Sequence, residues 1–235
     1  MQIYFNPTFT ALTTHKLNGI NVLDNFTCRS KKLDLYEVTT TRDPIFDTFI
    51  TKIKDDMQLD PIAQNEFSVQ KNIQYMYIDS MYTINEERNR GLGTCLHLSA
   101  IIEMLKNDIK LLELYSKSSA IPFHIRLGFK PSDKWSENLE RNLESISQET
   151  DERLVKYTQD AQQILNSELD KNTKGNLTNN LIYRYLKDAI KIKDVDELKY
   201  TIPTGIIMSL HRDDVIKNKK LYNLLFEKYN IDFQI

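Results

Sequence analysis

The segment Ile84–Leu105 reads INEERNRGLGTCLHLSAIIEML, with Gly91 and Gly93 one residue apart behind Arg88 and Arg90. A helical pattern begins at once, because Cys95, Leu98, Ile102 and Leu105 recur at spacings of three and four, the stripe of an amphipathic helix. Ahead of it, IQYMYIDSMYTI (Ile73–Ile84) mixes tyrosines and aliphatics without a breaker, which predicts a central strand buried on both faces. A strand that runs through a glycine turn into a helix is a ready anion site. The helix mouth carries unpaired N–H groups and a partial positive charge. Glycine lets the backbone approach a ligand with no Cβ in the way, and arginine suits phosphate geometry. The bare alternative is a tight turn with no ligand. The turn lacks the Gly-Lys-Ser/Thr ending of a P-loop and the third glycine of the dinucleotide fingerprint. It therefore favours a phosphate or pyrophosphate bound by backbone, without naming the molecule.

The surrounding chain has room for a sizeable core at 235 residues, and its 40% hydrophobic and 27% charged composition is that of a globular protein. A net charge of -2 argues against duplex nucleic acid as partner. No apolar run reaches a membrane span, and the N-terminus makes a poor signal peptide, so a cytoplasmic protein is expected, with export by a signal-less route left open. Cys28 and Cys95 suggest neither a disulfide framework nor a metal cluster.

Three regions differ in texture. In the first, Leu33–Thr41 alternates as a strand, and DPIFDTFITKIKDDM reads as a helix capped by Asp43 before Pro44, with Ile45, Phe49, Ile50 and Ile53 on one face. The second holds the strand and helix above, a further strand IKLLELYS, and a short helix SAIPFHIRLGF ended by Gly128 in the left-handed C′ position. The third, from about Trp135, reads as mostly helical. Leu154, Tyr157, Ala161 and Ile164 form one stripe, KNTKGN breaks it, and Leu181, Ile182, Tyr185, Leu186 and Ala189 form another. YTIPTGIIMSLH reads as loop or strand, and Leu221, Leu224, Leu225 and Tyr229 mark a last helix.

The run Arg88-Asn89-Arg90-Gly91-Leu92-Gly93 resembles the Arg/Gln-x-x-Gly-x-Gly/Ala signature of the GNAT superfamily, the GCN5-related N-acetyltransferases. In that family a strand follows the signature helix, then a short helix of the form Ala-x-x-Φ-Tyr-x-x-x-Gly-Phe, where Φ is apolar. Ala120–Phe129 fits each position except the tyrosine, where His124 stands. The resemblance covers Ile73 to about Pro131 well and the N-terminal third only loosely. It implies an α/β (mixed α+β) fold, with a central, mostly antiparallel sheet flanked by helices. Residues 1–134 are expected to form the acetyltransferase domain and residues 135–235 a mostly helical C-terminal extension. There is little room for the family's β-hairpin between the helix ending near Met57 and the strand starting at Ile73; either Leu33–Thr41 belongs to it or it is reduced.

The resemblance further implies acetyl-CoA as donor and an amine as acceptor. The backbone from Arg88 through Asn89, Arg90, Gly91, Leu92 and Gly93 to Thr94 is expected to cradle the CoA pyrophosphate. The strand end Tyr82, Thr83 and Ile84 is expected to bond the pantetheine arm and polarise the thioester carbonyl. The family tyrosine often serves as acid, and His124 is its candidate replacement. The alternative is a surface helix residue with no role, and Ser116 and Ser118 are weaker substitutes. Asp79, an acid inside an apolar and aromatic strand, is the candidate base; its alternative is a structural carboxylate bonded to nearby backbone. Glu86 and Glu87 read as solvated turn residues, His97 and His211 as single histidines without partners, and Cys95 as core. Tyr75, Tyr77 and Tyr82 pack the sheet, or one lines the acceptor site. Lys217, Lys219 and Lys220 read as a solvated face. The acceptor is open, with a protein favoured over a small amine, and the C-terminal region has the roles of lid, docking surface or homodimer interface open to it. The competing reading is a GNAT-fold module that binds CoA or partners without catalysis.

Overall fold

Strands dominate the N-terminal part. The computed structural model describes residues 15–17, 20–29, 35–43, 48–55, 60–88 and 90–235. Within it, β1 (His15–Leu17), β2 (Ile20–Arg29), β3 (Leu35–Asp43), β4 (Thr48–Lys54), β5 (Ala63–Gln70) and β6 (Tyr75–Thr83) form a meander, each strand antiparallel to the one before. Then come α1 (Leu92–Lys106), β7 (Leu111–Ser116), α2 (Ile121–Arg126), β8 (Lys130–Pro131), α3 (Glu137–Ser147), α4 (Lys156–Leu165), α5 (Lys171–Ala189), α6 (Val195–Thr201), β9 (Ile206–His211), α7 (Arg212–Lys217) and α8 (Lys219–Lys228). By internal contacts the chain forms two compact units, Met1–Leu112 with His211–Ile235, and Glu113–Leu210. Neither boundary falls at residue 134.

In the first unit the sheet packs α1 against β4, β5 and β6. Alternation sends Phe49, Thr51 and Ile53 of β4 and Ala63, Asn65, Phe67 and Val69 of β5 to the buried face. Phe49 and Phe67 lie opposite each other in register and stack with ring centroids 5.2 Å apart, a pair worth about 1 kcal/mol beyond its buried area. Beneath α1 runs a polar ladder. Thr40 and Thr51 share a hydroxyl hydrogen bond of 2.9 Å, Ser99 Oγ donates to Thr51 Oγ1 at 3.1 Å, and Asn65 Nδ2 donates to the Leu96 carbonyl at 2.9 Å. These side chains are almost wholly buried, so the bonds fix how α1 lies on the sheet.

Four expectations are corrected here. The segment after Asp43 is strand β4, not helix. Phe49 and Ile53 are four apart, an interval that satisfies period 2 as well as period 3.6, and the β-branched Ile50, Thr51 and Ile53 favour the strand. β4 and β5 thus supply the hairpin for which the sequence left little room. β6 is buried on one face only: Met76 and Ile78 point inward, Tyr75 and Tyr77 are half-buried, and Ile73 is 61% exposed in a preceding 3-10 turn. α1 has no polar face over most of its length, because Leu92 and every residue from Cys95 to Met104 are buried. In α8 the buried residues are Tyr222 and Phe226, followed by Tyr229, while Leu221 and Leu224 face outward.

The second unit gathers α3, α4 and α5 around one another, with β8 antiparallel to β9 through Lys130 opposite Ser209. Asn142 of α3 exchanges two hydrogen bonds with the backbone of Thr204, fixing the entry to β9. KNTKGN does not break the helical region but opens α5. Asp170 caps it, its carboxylate accepting from the amides of Asn172 and Thr173. Gly175 lies inside the helix, where a Cβ would sit 3.1 Å from the Trp135 backbone nitrogen, so the close packing favours glycine. Leu181, Ile182, Tyr185, Leu186 and Ala189 form the buried stripe the spacing predicts. Gly128 has the expected left-handed conformation, φ 90°, after α2.

Candidate functional site

β6 is irregular where Asp79 sits. Glu66 pairs with Ser80 and Phe67 with Ile78, so Asp79 is the extra residue of a β-bulge. It is exposed. Partial desolvation holds its carboxyl above the ordinary carboxylate range, although hydrogen bonds from the Ser68 hydroxyl and amide pull the other way. Asp79 thus has a partner in Ser68.

Beyond the bulge, Tyr82 is 45% exposed, and Thr83 and Ile84 are half-buried. The Ile84 amide still donates to the Ile62 carbonyl at 3.0 Å, and a 3-10 turn, Asn85–Glu87, then lifts the chain off the sheet. Arg88 is exposed, and Asn89 lies outside the described residues. Arg90 turns inward, its Nη1 donating to the hydroxyl of Tyr36 on β3 at 3.0 Å. Gly91 adopts φ 96° and serves as N-cap of α1, with no side-chain cap bond and no acidic residue in the first helical turn. The amides of Thr94 and Cys95 donate back to the Gly91 carbonyl at 3.0 and 3.2 Å. Leu92 and Gly93 stand at the helix mouth, where amides have no intrahelical acceptor. The loop therefore offers amides, the positive end of a 15-residue helix and an exposed arginine to an anion, with no carboxylate in the first turn.

Gly91 is confined from a direction the sequence does not reveal. A Cβ on it would lie 2.5 Å from the hydroxyl of Tyr229, just beyond α8, and 2.8 Å from Cε1 of the same ring. Tyr36 and Tyr229 are thus loop neighbours that sequence reading missed, because neither lies near the loop in the chain.

His97 is wholly buried, and its Nδ1 meets the Gly93 carbonyl at 3.0 Å, so it has a partner after all. Burial pulls its pKa down to about 4, against the carbonyl bond, which acts to raise it. Cys95 is buried in the core, as its position on the apolar stripe predicts. Glu86 and His211 are exposed.

Asp79 and the glycine loop belong to the first compact unit, His124 to the second. His124 is not a surface residue. It is 7% exposed, with its ring 5.2 Å from the Phe123 centroid and edge-on to Phe129 at 5.7 Å. Its carbonyl accepts from the amides of Leu127 and Phe129, closing the helix at Gly128. Ser116 is buried, with Oγ donating to the Lys117 carbonyl at 3.2 Å, and Ser118 begins a 3-10 turn.

No family model and no curated protein matches the chain. Solved structures do resemble it. Tetrahymena GCN5 is 24% identical over 36% of this chain and 52% of its own, at a TM-score of 0.34. An acetyltransferase of the GNAT family from Staphylococcus aureus is 16% identical over 37% and 56%, at 0.34. The PaiA N-acetyltransferase from Thermoplasma acidophilum, in complex with coenzyme A, is 23% identical over 37% and 54%, at 0.34. The chain thus spans about half the length of each of these structures.

Proposed function

We propose that the protein is an acetyl-CoA-dependent N-acetyltransferase of the GNAT type. The observation that carries this reading is the mouth of α1, where a left-handed glycine behind a bulged strand presents a helix N-terminus with no side-chain cap and no first-turn carboxylate. Acetyl-CoA supplies an activated thioester and a pyrophosphate that fits this mouth. The amides of Gly91, Leu92 and Gly93 hold the pyrophosphate, that of Thr94 being committed to the Gly91 carbonyl, and Arg88 adds charge from the solvent side. Arg90 serves the loop from within, through Tyr36. The strand end Tyr82–Ile84 lies along the pantetheine arm and polarises the carbonyl.

In the reaction the acceptor amine forms a C–N bond to the acetyl carbon, and the C–S bond breaks. Asp79, its carboxyl already raised by partial desolvation, takes the proton leaving the amine. The sulfur leaves as a thiolate, and His124, at the position of the family's tyrosine, stays the candidate to protonate it. The acceptor is an amine, with a protein favoured over a small molecule because the helices after Trp135 add mass suited to docking. On this reading residues 1–134 carry the chemistry, the segment His211–Ile235 packs in the same compact unit as the glycine loop, the helices between them chiefly serve the acceptor, and the enzyme acts in the cytoplasm.

A second reading, a GNAT-fold module that binds CoA without turnover, draws on the burial of His124 between Phe123 and Phe129. One experiment addresses cofactor binding in both: calorimetric titration with acetyl-CoA and CoA beside a Gly91→Arg control. Micromolar binding that the control loses is the expected result, and absence of binding in the wild type sinks both readings. Turnover with amines or proteins then separates enzyme from module.

A further inference from the structure

We propose that Tyr229 is a positioning residue of the glycine loop, holding Gly91, and with it the mouth of α1, in the conformation that receives the CoA pyrophosphate. This rests on the acetyltransferase reading above. The loop turns at Gly91 through φ 96°, a conformation in which glycine is held only by what surrounds it. What surrounds it is the ring edge and hydroxyl of Tyr229, at 2.5 to 3.1 Å from where a Cβ would be. Tyr229 is only 2% exposed, so the contact lies inside the packed unit.

Its own position is well determined. The Tyr229 amide closes α8 onto the Leu225 carbonyl at 3.0 Å, and Ile231 N returns to the Phe226 carbonyl at 2.8 Å. Phe226 and Tyr222 are buried one and two turns earlier, and Phe226 meets Phe233 edge-on at 5.3 Å. One residue before Gly91, Arg90 is tied to Tyr36. Two consecutive loop residues are therefore held by tyrosines from β3 and from the end of α8. Such fixing lowers the ordering cost of ligand binding, which raises affinity without any new ligand contact. Tyr229 lies outside the motif that defines the loop and acts through Gly91.

The test titrates the full chain with two probes: CoA, which carries the pyrophosphate, and pantetheine, which is the arm alone. Tyr229→Ala is expected to weaken CoA binding about tenfold or more, as loss of preorganisation predicts, and to leave pantetheine binding unchanged. Tyr229→Phe, which keeps the ring, is expected to restore most of the affinity. Amide hydrogen exchange gives a readout without ligand: Thr94 and Cys95 should exchange faster in Tyr229→Ala, while the β4 amides keep their rates. Should Tyr229→Ala fail to fold, Tyr229→Leu carries the same comparison. Wild-type CoA affinity and unchanged exchange in the small-residue variant would overturn the proposal, as would equal loss for both probes. A wild type that binds no CoA, with exchange still accelerated in the variant, leaves the anchoring of Gly91 standing and removes the acetyltransferase reading instead.

Discussion

Gly91 has two reasons to be glycine, and they predict a graded response. Any side chain there meets the left-handed backbone, which costs about 1–2 kcal/mol, and then the ring of Tyr229. Gly91→Ala should lower stability by at least that amount, as a shift in the denaturant midpoint, and weaken CoA binding further. The double variant Gly91→Ala with Tyr229→Leu should recover part of the stability, because the methyl group gains room. Asp79 makes a different prediction. If it is the base, kcat/KM rises with pH through a midpoint above the usual carboxylate range, since desolvation opposes ionisation there. Asp79→Asn should remove that limb and lower the rate by about 10²–10⁴. An unchanged profile, measured with whichever amine proves to be the acceptor, would return Asp79 to a structural role at the bulge.

Elements show where sequence reading reached and where it stopped. The glycine turn, α1, β7, α2 and the C′ Gly128 were legible because each carries its own local signal. β4 was not: four-residue spacing is shared by a helix and a strand, and Asp43-Pro44 imitates a helix start. α5 was misjudged at its beginning because Gly175 looks like a breaker, whereas the close approach of Trp135 gives the glycine a packing reason. Asp170 was the signal that could have found it. As the cap of α5, it should cost about 1 kcal/mol when changed to alanine, and a chemical denaturation series on Asp170→Ala would measure this. Asparagine, which keeps the acceptor, should cost much less. The buried side of α8 was shifted by one residue, since its leucines outnumber its aromatics, yet Tyr222 and Phe226 are what it buries.

Across the whole molecule, acid should act in two stages. His97 is buried neutral with a pKa near 4, below the ordinary value of 6.5, so the unfolded chain binds its proton first. Stability is then full above pH 6.5 and declines as pH falls toward 4, by roughly 3 kcal/mol in all. His97→Phe should flatten the unfolding midpoint over that window. Glu149 acts lower. Burial alone would raise its carboxyl, but hydrogen bonds from Lys193 at 2.6 Å and Tyr185 at 2.5 Å more than offset this and hold it below the usual range. Its contribution is present above the unfolded carboxylate pKa and is lost as pH falls through the depressed folded value. Removing the ammonium by Lys193→Met leaves that carboxylate buried without its partner and should cost about 3 kcal/mol at neutral pH, a loss that shrinks as Glu149 is protonated.

The contact between Tyr229 and Gly91 also sets an order in time. The signature Arg88–Gly93 leaves the ribosome complete as a string of letters, yet the glycine that turns it meets its tyrosine only after every helix through α8 has followed. A nascent chain stalled between α1 and Tyr229 carries the full motif and an unfinished loop. On the acetyltransferase reading, a loop able to grip CoA therefore exists only once Tyr229 has been made and has packed against Gly91.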